Sequence, residues 1–202
     1  MKRAKISAGV DEVGRGSLAG PVVAAAVIFK GSIKRSLFKD SKKLSFNRRM
    51  IIAKYIKKNS IYGIGVADVK EIYKFNILNA SLLAMKRAIS KLSTKPNQIY
   101  IDGIYVPKGI KNCKAIIKGD QKIKVISAAS ILAKVYRDLL MIKLSKKYKN
   151  YFWEKNFGYG TKDHLKSLKK YGISSLHRRD FKPVYNMLWL KKFKTQKTSF
   201  FT

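Results

Sequence analysis

Residues 8–29 read AGVDEVGRGSLAGPVVAAAVIF, and this stretch decides the fold. On either side of the glycine-rich segment GRGSLAG (14–20) the residues are small or β-branched. Residues 4–13 (AKISAGVDEV) and 21–29 (PVVAAAVIF) are therefore expected to form two adjacent strands of a hairpin. The first strand closes on two neighbouring acids, Asp11 and Glu12. Successive strand residues point to opposite faces. A strand end running into glycines can nevertheless twist enough for both carboxylates to serve one site.

Downstream of the hairpin, strand-like and helix-like stretches alternate. Residues 46–59 (FNRRMIIAKYIKKN) read as a helix with Ser45 as N-cap. Residues 61–69 (IYGIGVADV) read as a third strand. Leu78, Leu82, Met85, Ile89 and Leu92 recur at spacings of four and three, the apolar stripe of an amphipathic helix. Residues 97–103 (NQIYIDG) and 113–120 (CKAIIKGD) read as two further strands, each ending in glycine and an acid. Residues 127–148 read as a long helix with Ile131, Val135, Leu139 and Ile142 on one face. After residue 150 aromatic and basic residues dominate, and two short helices are expected around 161–171 and 183–193. The tail 195–202 is expected to fray. The fold class is thus α/β, a mixed sheet flanked by helices with a helical C-terminal extension. Residues 1–150 are read as one α/β domain, which would carry any catalytic site formed at its strand ends, and 151–202 as a helical segment packing on it.

Charge is the compositional outlier. The 202 residues hold 45 Lys and Arg against 11 Asp and Glu, a formal net charge of +34. Such a chain is drawn to polyanions, nucleic acid above all, with an affinity that weakens steeply with salt. Lys, Ile and Asn are abundant and Arg is scarce, as an A/T-rich coding sequence produces, so the charge reads as part compositional drift and part binding surface. Cys113 is the single cysteine, which excludes an internal disulfide, a cysteine-based zinc site and a CxxC redox pair, and reads as a small core residue. Asp11 and Glu12 interrupt any signal-peptide core, and the apolar run 21–29 is far below the ~20 residues of a membrane span. The expectation is a cytoplasmic protein, monomeric, with no membrane partner.

Acids are rare here, so their placement is informative. Asp11, Glu12, Asp102 and Asp120 all stand at or just beyond predicted strand ends, where open α/β sheets form their sites. Close carboxylates repel by about 4 kcal/mol per pair at an effective dielectric near 20. A fold keeps such a cluster when a cation compensates it, and an all-oxygen donor set favours Mg²⁺ or Mn²⁺. Two such ions about 4 Å apart activate a water and stabilise the leaving oxygen of a phosphodiester. The competing reading is that each acid separately caps a helix or pairs with a lysine. GRGSLA also matches the dinucleotide fingerprint G-x-G-x-x-A, with Asp40 as the ribose acid, but that motif requires a helix where Pro21 and a strand follow.

These residues carry a family resemblance. AGVDEVGRGSLAGPVVAAAVIF closely resembles the N-terminal signature of ribonuclease HII. DSKKLS, FNILNASLLAM, YIDG, IKGD, ISAASILAKVYRD and GYGTKDH are similar to its further blocks, in the family's order, over about Ala8 to Pro183. The resemblance implies a ribonuclease H-like fold with a mixed five-stranded sheet. It places Asp11, Glu12, Asp102 and Asp120 on four catalytic, metal-binding acids that take two Mn²⁺ or Mg²⁺ ions. Gly14, Arg15 and Gly16 fall on a GRG motif whose backbone reads a ribose 2′-hydroxyl. Tyr159 falls on a tyrosine that packs against the nucleotide at an RNA-to-DNA step, and Lys42 and Lys43 lie in a block that approaches phosphates. The substrates implied are RNA–DNA hybrids and duplex DNA with embedded ribonucleotides, cut on the 5′ side to leave 3′-hydroxyl and 5′-phosphate. Ser17 departs from the family, which usually has proline there, and gives up the preset turn.

Other residues are read from local sequence. His164 and His177 are expected at the surface or at helix ends rather than as proton shuttles. Arg178 and Arg179 are read as touching phosphate or solvent, and Trp153 and Trp189 as core of the C-terminal segment. Ser127, Ser130 and Lys134, near the start of the long helix, either meet phosphate or pack against neighbours. Two alternatives differ in function. A ribonuclease HIII-like enzyme usually carries an extra N-terminal binding domain, for which a first strand near residue 5 leaves no room. A non-catalytic nucleic-acid-binding protein would have no reason to keep four acids in so basic a chain.

Overall fold

A computed structural model describes residues 6–31 and 44–189. Five strands form one sheet: β1 (Ser7–Val13), β2 (Val22–Phe29), β3 (Ser60–Ala67), β4 (Gln98–Asp102) and β5 (Cys113–Ile116), in the order β3-β2-β1-β4-β5. The expected hairpin is present, with Asp11 opposite Ala25 and Val13 opposite Val23 in antiparallel register. β2 also pairs antiparallel with β3, whereas β1–β4 and β4–β5 are parallel. The sheet is therefore mixed, and β1, β4 and β5 end at the same edge.

Helices cover both faces, which is why the β2 run is apolar throughout rather than alternating. On one face lies α2 (Val69–Ser90), whose small side chains Ala80, Ala84 and Ala88 meet Ala8, Val10, Ile99 and Ile101. Gly65 makes this approach possible, because a Cβ there would overlap the carbonyl of Ala84. The predicted stripe is only partly the buried face: Met85 and Ile89 are buried, but the alanines do most of the packing. A capping box between Asp68 and Glu71 starts α2, so β3 stops at Ala67 and the last two residues of the expected third strand belong to the helix instead. Asn76 interrupts α2 at φ 66°, and its side chain accepts the Asn79 amide to restart the helix.

The opposite face packs α1 (Phe46–Asn59, capped by Ser45 as expected) and α4 (Lys124–Ser145) against Ala25 and Val27 through Ile52, Ile56, Leu132 and Val135. A Cβ on Gly9 would overlap the backbone of Val125, so glycine lets α4 lie directly on β1. Leu139, expected on the buried face of α4, is exposed; Arg137 and Asp138 are buried beside it. β5 is shorter than expected, ending at Ile116, and Asp120 lies in a one-turn helix α3 (Gly119–Lys122).

Beyond α4 come a 3₁₀ turn (Lys149–Tyr151), α5 (Trp153–Asn156), α6 (Lys162–Tyr171) and a helical stretch at 182–189. Trp153, Leu168 and Val184 share a third apolar cluster with Leu18, Ala19 and Met141, so this segment packs on the loop between β1 and β2. Trp153 is fully buried, but Trp189 is exposed rather than core. Among the described residues no helix is long and apolar enough to cross a membrane. Asp40, Lys42, Lys43, residues 190–193 of the expected second C-terminal helix and the tail lie outside the described residues.

Candidate active site

The parallel strands bring the four acids to one cleft. Asp11 and Glu12 close β1, Asp102 is the last residue of β4, and Asp120 follows β5 by four residues. All four line the same cleft, together with Arg49, Ser130 and Lys134. The turn after β5 is fixed by Asp102 itself, whose Oδ1 accepts the amides of Gly119 at 2.6 Å and Asp120 at 3.4 Å.

The electrostatics are those of crowded carboxylates. Burial first, then the charge of Glu12, holds the Asp11 carboxyl well above the usual range, and Asp102 adds to this; a hydrogen bond with Ser130 opposes it. Burial raises Glu12 as well, partly offset by Arg15, whose Nη1 lies 3.3 Å from Oε1. The other carboxylate oxygen of Glu12 is buried without a hydrogen-bond partner. Such an oxygen in a cleft of acids is a donor suited to a hard cation. Among the described residues no three Asp, Glu, His or Cys side chains converge on one point, so an ion held here would take part of its coordination from water or substrate oxygens or from shifted side chains.

Sequence reasoning missed part of this cleft. Asp138, fully buried on α4, accepts Lys134 Nζ at 2.8 Å and lies 3.8 Å from Arg49 Nη2. It thereby holds two cations at the edge of the acid cluster. A charged pair inside the apolar run VYRDLLMI was the available signal. Ser130 bonds Asp11 and lines the cleft, whereas Ser127 is buried in the helix packing.

The glycine-rich turn is gripped from behind. Gly14 has φ 91°, and a Cβ there would overlap the guanidinium of Arg137. That guanidinium is fully buried and donates to the carbonyls of Pro21 (2.9 Å), Ala19 (3.0 Å) and Phe157 (2.8 Å). Arg178, read from sequence as meeting phosphate or solvent, is also fully buried. It donates to Gly20 O (2.9 and 3.0 Å) and to Arg15 O (2.8 Å), carbonyls of the loop between β1 and β2. Burial, then the charge of Arg137, pushes Arg178 down to about 9, so it stays charged at neutral pH. Arg179 is exposed. The amides of Leu18 and Ala19 bond Gly158 O at 2.8 and 3.3 Å, which ties the turn to the segment bearing Tyr159. The ring of Tyr159 is half-buried, with Lys134 Nζ and Arg137 Cζ each 5.5 Å from its centroid. His164 and His177 are fully buried behind it instead of surface groups, because each finds hydrogen-bond partners inside.

The chain is similar to known proteins in sequence and in fold. The family described as ribonuclease HII matches residues 8–184. A ribonuclease HII of Pelagibacter ubique is 60% identical over 186 residues, covering 91% of this chain and 100% of that protein. One from Cereibacter sphaeroides is 51% identical over 183 residues, covering 90% of this chain and 86% of its own. Among solved structures, the ribonuclease H2 from Pyrococcus horikoshii superposes with a TM-score of 0.75 at 29% identity, covering 90% of this chain and 96% of that one.

Proposed function

The chain belongs to the ribonuclease HII family and is a nuclease, and on that premise we propose that it hydrolyses the RNA strand of RNA–DNA hybrids and incises 5′ of single ribonucleotides in duplex DNA. The products are 3′-hydroxyl and 5′-phosphate ends. One observation carries the reading: three acids at the ends of β1 and β4 and a fourth in the short helix after β5 line one cleft.

Asp11, Glu12, Asp102 and Asp120 are the residues that would hold Mg²⁺ or Mn²⁺. Two bound ions would supply charge neutralisation of the phosphodiester and a hydroxide for in-line attack. The chain's own groups do the rest. Ser130 orients Asp11, and the Gly119 amide orients Asp102. Lys134 and Arg49 offer positive charge to the phosphate, held in place by Asp138. Peptide groups of Gly14, Arg15 and Gly16 read the 2′-hydroxyl, the one local feature that separates RNA from DNA. A side chain at Gly16 would project into open space, which leaves backbone there accessible to a ribose. Tyr159 stacks on the nucleotide at the junction. Lys42 and Lys43, in the DSKKLS block, are proposed to approach the backbone phosphates. The enzyme is read as a cytoplasmic monomer, with residues 1–150 catalytic and 151–202 a supporting helical segment.

The test is a duplex with one ribonucleotide, incubated with Mg²⁺ or Mn²⁺ and mapped at nucleotide resolution. Incision on the 5′ side of the ribonucleotide, with 3′-hydroxyl and 5′-phosphate ends, is expected. Cutting restricted to long hybrids, or binding without cutting, would overturn the reading.

A further inference from the structure

The hydrogen bonds around the two buried histidines run in only one consistent direction. The backbone amide of Ser174 donates to Nδ1 of His177 at 2.9 Å, so that nitrogen accepts and the ring proton sits on Nε2. At the other end the indole Nε1–H of Trp153, which can only donate, points at Nε2 of His164 at 3.2 Å. His164 is therefore protonated on Nδ1, and that N–H donates to the carbonyl of Tyr159 at 2.8 Å. Between the rings, His177 Nε2–H donates to His164 Nε2 at 3.0 Å. Two independent donors thus fix the same pair of tautomers, and both rings are neutral.

The chain of bonds ends on the residue whose direction matters. Tyr159 stands between Gly158 and Gly160, and Phe157 and Gly158 both have positive φ, 49° and 82°. A tyrosine between two glycines has little backbone order of its own, so contacts must supply it. Its amide donates to Asn156 O at 2.8 Å, and its carbonyl accepts both the Thr161 amide and His164 Nδ1–H at 2.8 Å. The histidines lie too deep to touch a nucleic acid themselves, at 0% and 1% exposure.

We propose that His164 and His177 are positioning residues for junction recognition: the relay from Ser174 through both rings fixes the Tyr159 peptide and so the presentation of its ring. This rests on Tyr159 meeting the nucleotide at the RNA-to-DNA step.

Junction preference is read as kcat/KM on a single-ribonucleotide duplex divided by kcat/KM on a continuous hybrid. His164→Ala lowers this ratio by about fivefold to tenfold, the size of one lost hydrogen bond. His164→Asn places an amide N–H where Nδ1–H stood and keeps the ratio within about twofold of the parent. In a Tyr159→Ala background, His164→Ala changes the ratio by less than about twofold, because the two act through one element. Imidazole ¹⁵N spectra of the unmutated protein show His164 protonated at Nδ1 and His177 at Nε2, a readout that needs no variant to fold. The proposal is overturned if His164→Asn is as impaired as His164→Ala, if the losses add in the Tyr159→Ala background, or if the spectra show other tautomers. An unchanged ratio in Tyr159→Ala alone removes the junction role of the tyrosine itself, and that variant identifies this separate failure.

Discussion

The amide of Gly119 donates to Oδ1 of Asp102 at 2.6 Å, so one acid of the cleft builds the turn that presents another, Asp120. Asp102→Asn keeps an oxygen in that position and removes charge from the cluster, whereas Asp102→Ala leaves the amide without its acceptor. The alanine variant is expected to be about 1–2 kcal/mol less stable than the asparagine variant. Urea unfolding of the two proteins without divalent ions measures this, and equal midpoints would show that the bond does not hold the turn.

Gly14 and Gly16 should separate fold from recognition. Gly14→Ala meets the buried Arg137 guanidinium at a φ that disfavours side chains, and is expected to cost about 2–4 kcal/mol. Gly16→Ala meets nothing within 4 Å and should unfold within about 0.5 kcal/mol of the parent while weakening the choice of RNA over DNA. Thermal melts with cleavage on RNA- and DNA-containing duplexes check both, and a Gly16→Ala protein with parental selectivity would contradict the role given to this turn.

Ser17 is buried, and its hydroxyl has no hydrogen-bond partner. Ser17→Ala removes a desolvated polar group and is expected to raise stability by about 1 kcal/mol. A lower unfolding midpoint for the alanine protein would mean that the hydroxyl has a partner in solution.

The histidine pair predicts an acid limb of stability. His177 is held at about 3 and His164 is lowered, both by burial, amid Tyr151, Trp153, Ser174 and the Tyr159 carbonyl. Folded pKa values below the unfolded one mean that the stabilisation is complete above about pH 6.5 and declines as pH falls toward the folded values. Between about pH 6.5 and 4.5 His177 alone is expected to withdraw up to about 1.4 kcal/mol per pH unit, and His164 acts in the same direction. A His177→Gln protein should show a shallower slope over that window. Asp11 and Glu12, raised by burial, contribute the opposite slope in both proteins, so the difference between parent and variant is the readout, and identical profiles for the two would contradict the neutral pair.

The strands and their acids were legible because β-branched runs ending in glycine and an acid carry a local signal. Asp11, Glu12, Asp102 and Asp120 can be assigned to one site because predicted strands end in them and open α/β sheets form their sites at such ends. What stayed hidden depends on contacts between distant segments. Nothing near Arg178 announces that its guanidinium lies under Gly20, 158 residues earlier. The burial of His164 and His177 follows from Trp153 and Ser174 lying beside them, and short-range periodicity does not report that. Asp120 was placed at the right edge but on the wrong element, because a left-handed Lys118 ends the extended run before it.

We infer that the acid cluster binds divalent ions for cutting and contributes little to holding the nucleic acid. This is tested most directly by titrating Mg²⁺ or Mn²⁺ into Asp11→Asn and Asp102→Asn proteins bound to a single-ribonucleotide duplex, with affinity and cleavage rate measured side by side. Affinity is expected to stay within about threefold of the parent while the rate falls at least about a hundredfold. Either variant cutting at the parental rate would contradict the account.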